Sequence, residues 1–210
     1  NVLFSAHHGK TVRKMFKAIK DVVEKNPDIS RELVPNGGGI YKAAGSEGIY
    51  FANGGMIEFQ TRTTSGARGE TYDIIIEDEA QELTQDQADA MKPTTIASES
   101  GDPQMIYLGT PPGPACPGTV FKKLRSKARA GEPGIWWLEW SVEEMVDISD
   151  FEAALEAAYM TNPAMGYRIR ERVMTDAIRT ATDAAGFNRE YLNWWSRQHV
   201  DSVIGADDWE

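Results

Sequence analysis

Two adjacent carboxylates, Asp78 and Glu79, are the residues of this chain best suited to chemistry. They close the stretch from Tyr72 to Gln81, YDIIIEDEAQ, in which a short apolar run ends abruptly in Glu77-Asp78-Glu79. Acids paired in this way can divide the work of phosphoryl transfer. Asp78 would hold Mg²⁺, directly or through water, beside nucleotide phosphates, and Glu79 would orient and deprotonate an attacking water. The same letters also describe a strand running into an acidic, solvated turn, and the DEAQ ending favours the nucleotide site.

Carboxylates in that role need a strand beneath them. Tyr72 to Ile76, broken only by Asp73, has the length and composition of a strand buried on both faces of a parallel sheet. Open α/β sheets bind ligands beyond the carboxyl ends of their strands. Upstream, Val2 to Phe4 reads as a strand, Ser5 to Gly9 as a turn, and Lys10 to Glu24 as an amphipathic helix ending at Asn26-Pro27-Asp28. Val12, Met15, Phe16, Ile19, Val22 and Val23 share one helix face, while Lys10, Arg13, Lys14, Lys17 and Lys20 cover the rest. That basic surface reads as a solvated face, with a DNA or partner contact left open. Gly9-Lys10-Thr11 has the ending of a phosphate-binding loop. Phe4 stands where that loop needs a glycine, so the segment reads as a second strand–helix unit and not a phosphate cradle. His7 and His8 read as turn residues.

Asn36 to Gly39 is a turn, and Ile40–Lys42, Gly48–Ala52 and Met56–Thr61 read as short strands, the last two joined by an Asn53-Gly54-Gly55 hairpin. A polar loop with Arg62 and Arg68 leads to the acidic strand. Arg68 either faces solvent or neutralises charge in phosphoryl transfer, in its own subunit or a neighbour's. After the acids, Thr84 and Gln87 form a capping box for a short helix that stops before Pro93. Gln104 to Leu108 is the next buried strand. It runs into Gly109-Thr110-Pro111-Pro112-Gly113, where Thr110 is placed to sense the γ-phosphate or position water.

Val120 to Ala130 reads as a helix and Ile135 to Trp140 as a strand with Trp136, Leu138 and Trp140 on one face. Core or interface packing is favoured for these tryptophans over base stacking. Capping boxes are expected at Ser141/Glu144 and Ser149/Glu152, the second opening a helix that buries Phe151, Leu155 and Tyr159. Helices follow over Tyr167–Arg179 and Asp183–Trp195. Arg168, Arg170, Arg172 and Arg179 give this region local positive charge, read as a solvated face.

Composition sets the limits. The chain has 210 residues, 41% hydrophobic and 26% charged, which suits one α/β domain with a small helical appendage. One cysteine, Cys116, excludes an internal disulfide. The three histidines have no Cys/His ligand spacing, which argues against zinc. No apolar run approaches a membrane span. A net charge of −10 argues against bulk adsorption to DNA, so any nucleic-acid contact needs a local basic patch.

Several stretches, in order, resemble the ATPase domain of the large terminase subunit, the DNA-packaging motor of tailed phages. VLFSAHHGKT looks like the strand–helix unit that follows the phosphate loop. Ile57 through Arg62 to Arg68-Gly69 and YDIIIEDEAQEL are similar to the approach to the Walker B strand, and MIYLGTPPG looks like the coupling motif. Asn162-Pro163-Ala164-Met165-Gly166 and the Phe187-to-Trp195 helix resemble the lid and linker region. The resemblance implies an α/β fold of P-loop NTPase type, RecA/ASCE-like, with a mostly parallel sheet flanked by helices and a small C-terminal helical lid. It implies an ATPase core over 1–140, a lid and linker over 141–200, and from 201 the start of a linker to a nuclease domain. Under it Asp78 is the Mg²⁺-associated Walker B acid, Glu79 the catalytic acid and Thr110 part of the coupling segment. Arg68 matches a position that reaches a neighbouring subunit's site as an arginine finger in some members. ATP and Mg²⁺ are the implied cofactors. The implied partners are double-stranded DNA, the portal protein, the small terminase subunit and further copies in a ring, in the host cytoplasm at the procapsid portal, with no membrane.

No GxxxxGK[ST] loop and no nuclease acids occur in the sequence, so the chain is expected to be the middle of a longer polypeptide. Two other readings are a helicase-like ATPase, for which the helical remainder is too short to supply a second lobe, and a non-catalytic assembly surface. The 210-residue chain alone is expected to bind ATP poorly and to show little or no ATPase or nuclease activity. ATP turnover by the purified chain that Glu79→Ala abolishes would contradict this.

Overall fold

A computed structural model describes residues 1–63, 69–116 and 118–196, which divide into two units. The first contains Asn1–Gly109 with Thr119–Phe121; the second contains Thr110–Gly118 and the chain from Lys122 onward. Arg68 lies outside the described residues. No helix among the described residues is long and apolar enough to cross a membrane.

The first unit is built on six strands: β1 (Val2–Ala6), β2 (Ile40–Tyr41), β3 (Glu47–Tyr50), β4 (Met56–Thr61), β5 (Ile74–Glu77) and β6 (Gln104–Tyr107). They pair in the order β2-β3-β4-β1-β5-β6. The four strands β4, β1, β5 and β6 run parallel, and β2 and β3 add an antiparallel flank closed by the expected hairpin. Side chains of β1 alternate between two cores, as the two-residue period of a strand requires. Phe4 and Ala6 meet Val12, Phe16 and Val23 of helix α1 (Gly9–Lys25), together with Ile49 and Phe59. On the other face Leu3 meets Tyr72, Ile75 and Met91, the last from helix α3 (Gln85–Met91). In chain order the short α2 (Pro27–Ser30) follows α1. Each large side chain so buried contributes about 1.5–3 kcal/mol of transfer free energy. Covering both faces accounts for the near-continuous apolar composition of β5.

Four helices follow: α4 (Thr119–Arg129), α5 (Phe151–Thr161), α6 (Glu171–Thr180) and α7 (Ala184–Tyr191). The core of the second unit gathers Ala154, Ala157, Ala158, Met165, Met174, Ile178, Phe187 and Leu192.

Local expectations diverge from the structure at several points, each for a packing reason. The acidic strand starts at Ile74 and ends at Glu77, because its ladder with β1 begins at the Val2–Ile74 pair and the Tyr72 amide bonds the Thr94 carbonyl at 3.0 Å instead. β6 is the outermost strand, so Ile106 and Leu108 are exposed where a buried strand was expected. Val22 is exposed, while Val12, Phe16 and Val23 are buried with Met15 and Ile19 half-buried beside them. Ile135–Trp140 pairs with no other strand among the described residues and is not a strand. No helix starts at Ser141, whose hydroxyl bonds the Glu139 carboxylate instead. The cap of α5 is Asp150, one residue past the expected Ser149, accepting from the Ala153 amide at 3.1 Å. The helix buries its alanines, leaving Tyr159 exposed, because close approach selects the small side chains. The Thr84/Gln87 capping box forms as expected.

In the second unit Glu139 gathers several polar partners. Arg125 grips it with two nitrogens, at 2.9 and 2.7 Å, and Trp137 Nε1 donates at 2.6 Å. Burial acts to raise the Glu139 carboxyl, but the bonds from Arg125, Ser141 and Trp137 prevail and hold it down at about 2. A carboxyl depressed in the folded state contributes stability above its unfolded value of 4.5, and loses it as pH falls toward 2. Glu139→Gln should therefore lower urea-unfolding stability at pH 7 by up to about 3 kcal/mol, with the difference from wild type shrinking steadily below about pH 4.5. An equal difference at pH 7 and at about pH 2.5 would contradict this.

Candidate functional site

The carboxyl end of β5 carries three acids in a row, and the backbone sends them to three different places. Glu77 is the last strand residue and is fully buried. It lies on the same sheet face as Glu58, Gln60 and Arg62, because partners in a parallel ladder share a face and Arg62 continues the alternation of β4. Arg62 Nε donates to Glu77 Oε2 at 2.8 Å, and both side chains are entirely out of solvent. Burial pushes the Glu77 carboxyl above its ordinary range, with the adjacent guanidinium opposing that shift.

Arg62 does more than neutralise Glu77. Its Nη2 donates to the carbonyl of Asp78 and its Nη1 to that of Glu79, at 3.4 Å in the second case. One guanidinium therefore holds the strand's last carboxylate and the next two backbone carbonyls. The planar fork of arginine suits this; a lysine ammonium would not span it. Its own amide bonds the Ala6 carbonyl at 2.9 Å, which fixes Arg62 to the end of β1.

Asp78 is partly exposed. Its amide bonds the Ser5 carbonyl at 2.8 Å, which carries the β1–β5 ladder one step further, and its Oδ1 accepts from the Glu79 amide at 2.9 Å. Glu79 then takes a left-handed conformation, φ 53°, uncommon for a residue with a Cβ. The turn delivers the Glu79 side chain to the first turn of α1. Glu79 Oε2 accepts from the His8 amide at 3.1 Å and Oε1 from the Thr11 hydroxyl at 2.8 Å. Helix α1 has no acid in its own first turn and no side-chain cap from His8, so the Glu79 carboxylate is the anion at its positive end. His7 and His8 are exposed turn residues that touch edge to face.

β6 lies beside β5 and in parallel, so its carboxyl end shares this edge. Leu108 N bonds Glu77 O at 2.9 Å and Ala80 N bonds Leu108 O at 2.8 Å. A Cβ on Gly109 would sit 2.6 Å from Gln81 Oε1 and 3.2 Å from Ala80 N, so a larger residue there would displace the Gln81 amide and press on the chain beyond the acids. Thr110 follows directly and opens the second unit.

Asp78 and Glu79 thus stand side by side at one strand end. Arg62, Thr11 and the first turn of α1 join them without having been picked out in the sequence for this role. The two-residue period puts Arg62 on the polar face of β4 with Glu58 and Gln60, so nothing local marks it as buried. Nothing local marks Thr11, whose contact depends on the unusual φ of Glu79. Among the described residues no three His, Cys, Asp or Glu side chains gather in the manner of a metal cage.

Neither a protein-family model nor a curated protein sequence matches the chain. Among solved structures it is similar to the large terminase of bacteriophage HK97, with a TM-score of 0.71 and 18% identity over 92% of this chain and 39% of that one. It is also similar, at a TM-score of 0.40 and 17% identity, to the large terminase of a thermophilic bacteriophage in complex with ADP, over 60% of this chain and 30% of that one. Only the first likeness is extensive enough to define a fold. The chain spans 39% of the length of the HK97 protein and has the mixed α/β fold of that part of a phage large terminase.

Proposed function

We propose that this chain is the ATPase part of a motor of the large-terminase kind, which couples ATP hydrolysis to translocation of double-stranded DNA into procapsids. The observation that carries the reading is the Asp78–Glu79 pair at the carboxyl end of a parallel strand, with the Glu79 carboxylate held by two donors. In this reading Glu79 takes the proton of the attacking water on a carboxylate oxygen, each of which has lone-pair capacity left beside its bond from α1. Arg62 keeps the backbone under both acids from relaxing out of the left-handed turn.

Asp78 would hold Mg²⁺. A single carboxylate fits that ion, which keeps water and substrate phosphates in most of its positions and needs no cage of side chains. Once bound it would neutralise charge on the transferring phosphoryl group. ATP is the substrate. Thr110 is assigned to the segment coupling hydrolysis to movement, and Arg68 to charge neutralisation within its own or a neighbouring subunit's site. The ATPase core is assigned to 1–140 and the lid and linker to 141–200. DNA, the portal protein, the small terminase subunit and further copies of the motor would be its partners, in the host cytoplasm at the portal.

The natural polypeptide that carries these residues should hydrolyse ATP, and Glu79→Ala should lower kcat by about 10²–10⁴-fold. Turnover that survives this change overturns the reading. Thr11→Val should lower kcat roughly tenfold with KM for ATP unchanged, and Thr11→Ser, which keeps the hydroxyl, should restore most of it.

The Arg62 clamp separates stability from activity. Arg62→Met strands Glu77 in the core and should cost about 3–5 kcal/mol in urea unfolding. Adding Glu77→Leu should recover most of that stability, yet turnover should stay low because the carbonyls of Asp78 and Glu79 have lost their donor. Full activity in the double variant would reduce the clamp to a stabilising pair.

A further inference from the structure

Charge is distributed unevenly along this chain. The first twenty residues hold five Lys and Arg and no acid; the first acid is Asp21, although the whole chain carries −10. Four of the five cations, Lys10, Arg13, Lys14 and Lys17, are exposed on α1. At 100° per residue they fall within a sector of about 100°, on the side away from buried Val12, Phe16 and Val23. The fifth, Lys20, is bound by Asp21 and Glu24 at 3.1 and 2.6 Å. None of the four makes an ion pair among the described residues, whereas Arg125, Lys127, Arg129 and Arg189 all do. Among the described residues an acid that reaches the helix from another element is Glu79, and its oxygens are engaged by His8 and Thr11.

We propose that this face of α1 is a contact surface for the phosphate backbone of double-stranded DNA. Only the identity of the polyanion rests on the motor reading. The four cations span about 10 Å of helix, enough to meet roughly three phosphates of one strand. A protein partner fits the face poorly. Protein interfaces are depleted of lysine and centre on apolar or aromatic anchors. Three of the four cations here are lysines, and the exposed large apolar residue of the helix, Val22, lies beyond them. Lysine-rich surface without an apolar centre makes sequence-independent backbone contacts, as a translocating enzyme requires. The consequence for the site is direct, because the first turn of the same helix holds Glu79.

The test is binding of a fluorescent mixed-sequence duplex of about 30 base pairs, followed by anisotropy without nucleotide at about 50 to about 200 mM salt. Lys14→Glu with Lys17→Glu should weaken binding at least about tenfold at low salt and lower the salt slope by about two. Lys14→Gln with Lys17→Gln should give an intermediate loss. Lys92→Glu with Lys123→Glu, the same charge change on exposed lysines of other elements, should shift affinity no more than about twofold. Thermal melts by circular dichroism confirm that each variant is folded. The proposal is overturned if the wild type does not bind the duplex, or if the α1 reversal acts no more strongly than the control pair. It is also overturned if that reversal leaves DNA affinity intact and abolishes self-association in sedimentation, which would make the face a protein contact. Because no nucleotide is present, DNA binding that depends on α1 stands even if Glu79→Ala leaves turnover unchanged, which would sink the motor reading alone.

Discussion

A guanidinium with no access to water holds the acidic end of the central sheet in place. Arg62 answers a problem created by the sequence itself: three acids in a row follow an apolar strand, and the first points into the core. An isolated buried carboxylate would be expensive enough to draw a proton or pull the strand end apart. With Arg62 beside it, Glu77 becomes the anchor that brings a cation to the carbonyls of the next two residues. A buried ion pair is weak evidence for stability, since apolar residues of similar volume often do as well. Its value here is positional. Apolar replacements fill the space but offer no donor to the turn.

That turn sets what Glu79 can reach. In extended backbone the residue after Asp78 would put its side chain on the opposite face of the sheet from α1, because side chains alternate along a strand. The left-handed φ at Glu79 breaks the alternation and brings the carboxylate to the first turn of α1. Strain of about 1–3 kcal/mol at such a position persists only where the surroundings over-determine it. Here a guanidinium holds the carbonyl, the Asp78 carboxylate holds the amide and a helix end holds the side chain. The helix that completes this arrangement is also the one with the unpaired cationic face.

Much of this was legible in the sequence where the signal is local. The amphipathic period of α1 (Val22 apart), the Asn53-Gly54-Gly55 hairpin and the Thr84/Gln87 box each involve residues a few positions apart, and each forms as read. The positions of Asp78 and Glu79 at a strand end were legible for the same reason. The Arg62–Glu77 pair was not, because it joins residues 15 apart across a strand that belongs to neither. Periodicity also failed where a tertiary partner outbids the local one. Ser141 and Glu144 have capping-box spacing, but the hydroxyl goes to Glu139. Trp136, Leu138 and Trp140 alternate like strand residues, yet their segment pairs with no other strand among the described residues.

The second unit shows how backbone outside a ladder finds partners, and the answer is the one used at the acids. Peptide groups removed from water need partners whether or not a strand supplies them. In the second unit buried Asn188 donates to the Val146 carbonyl at 2.9 Å and accepts from the Val146 amide at 2.7 Å, as a neighbouring strand would. Asn193, itself at a left-handed φ of 53°, donates to the Trp140 carbonyl at 2.9 Å. Arg62 does the same for Asp78 and Glu79 in the first unit. In each case one polar side chain supplies the partner that a neighbouring strand would otherwise give, at one or two residues and not along a strand. Such a junction concentrates the determinants of local geometry in a single side chain, so its removal should disturb a few residues around it and leave the surrounding sheet or helices intact.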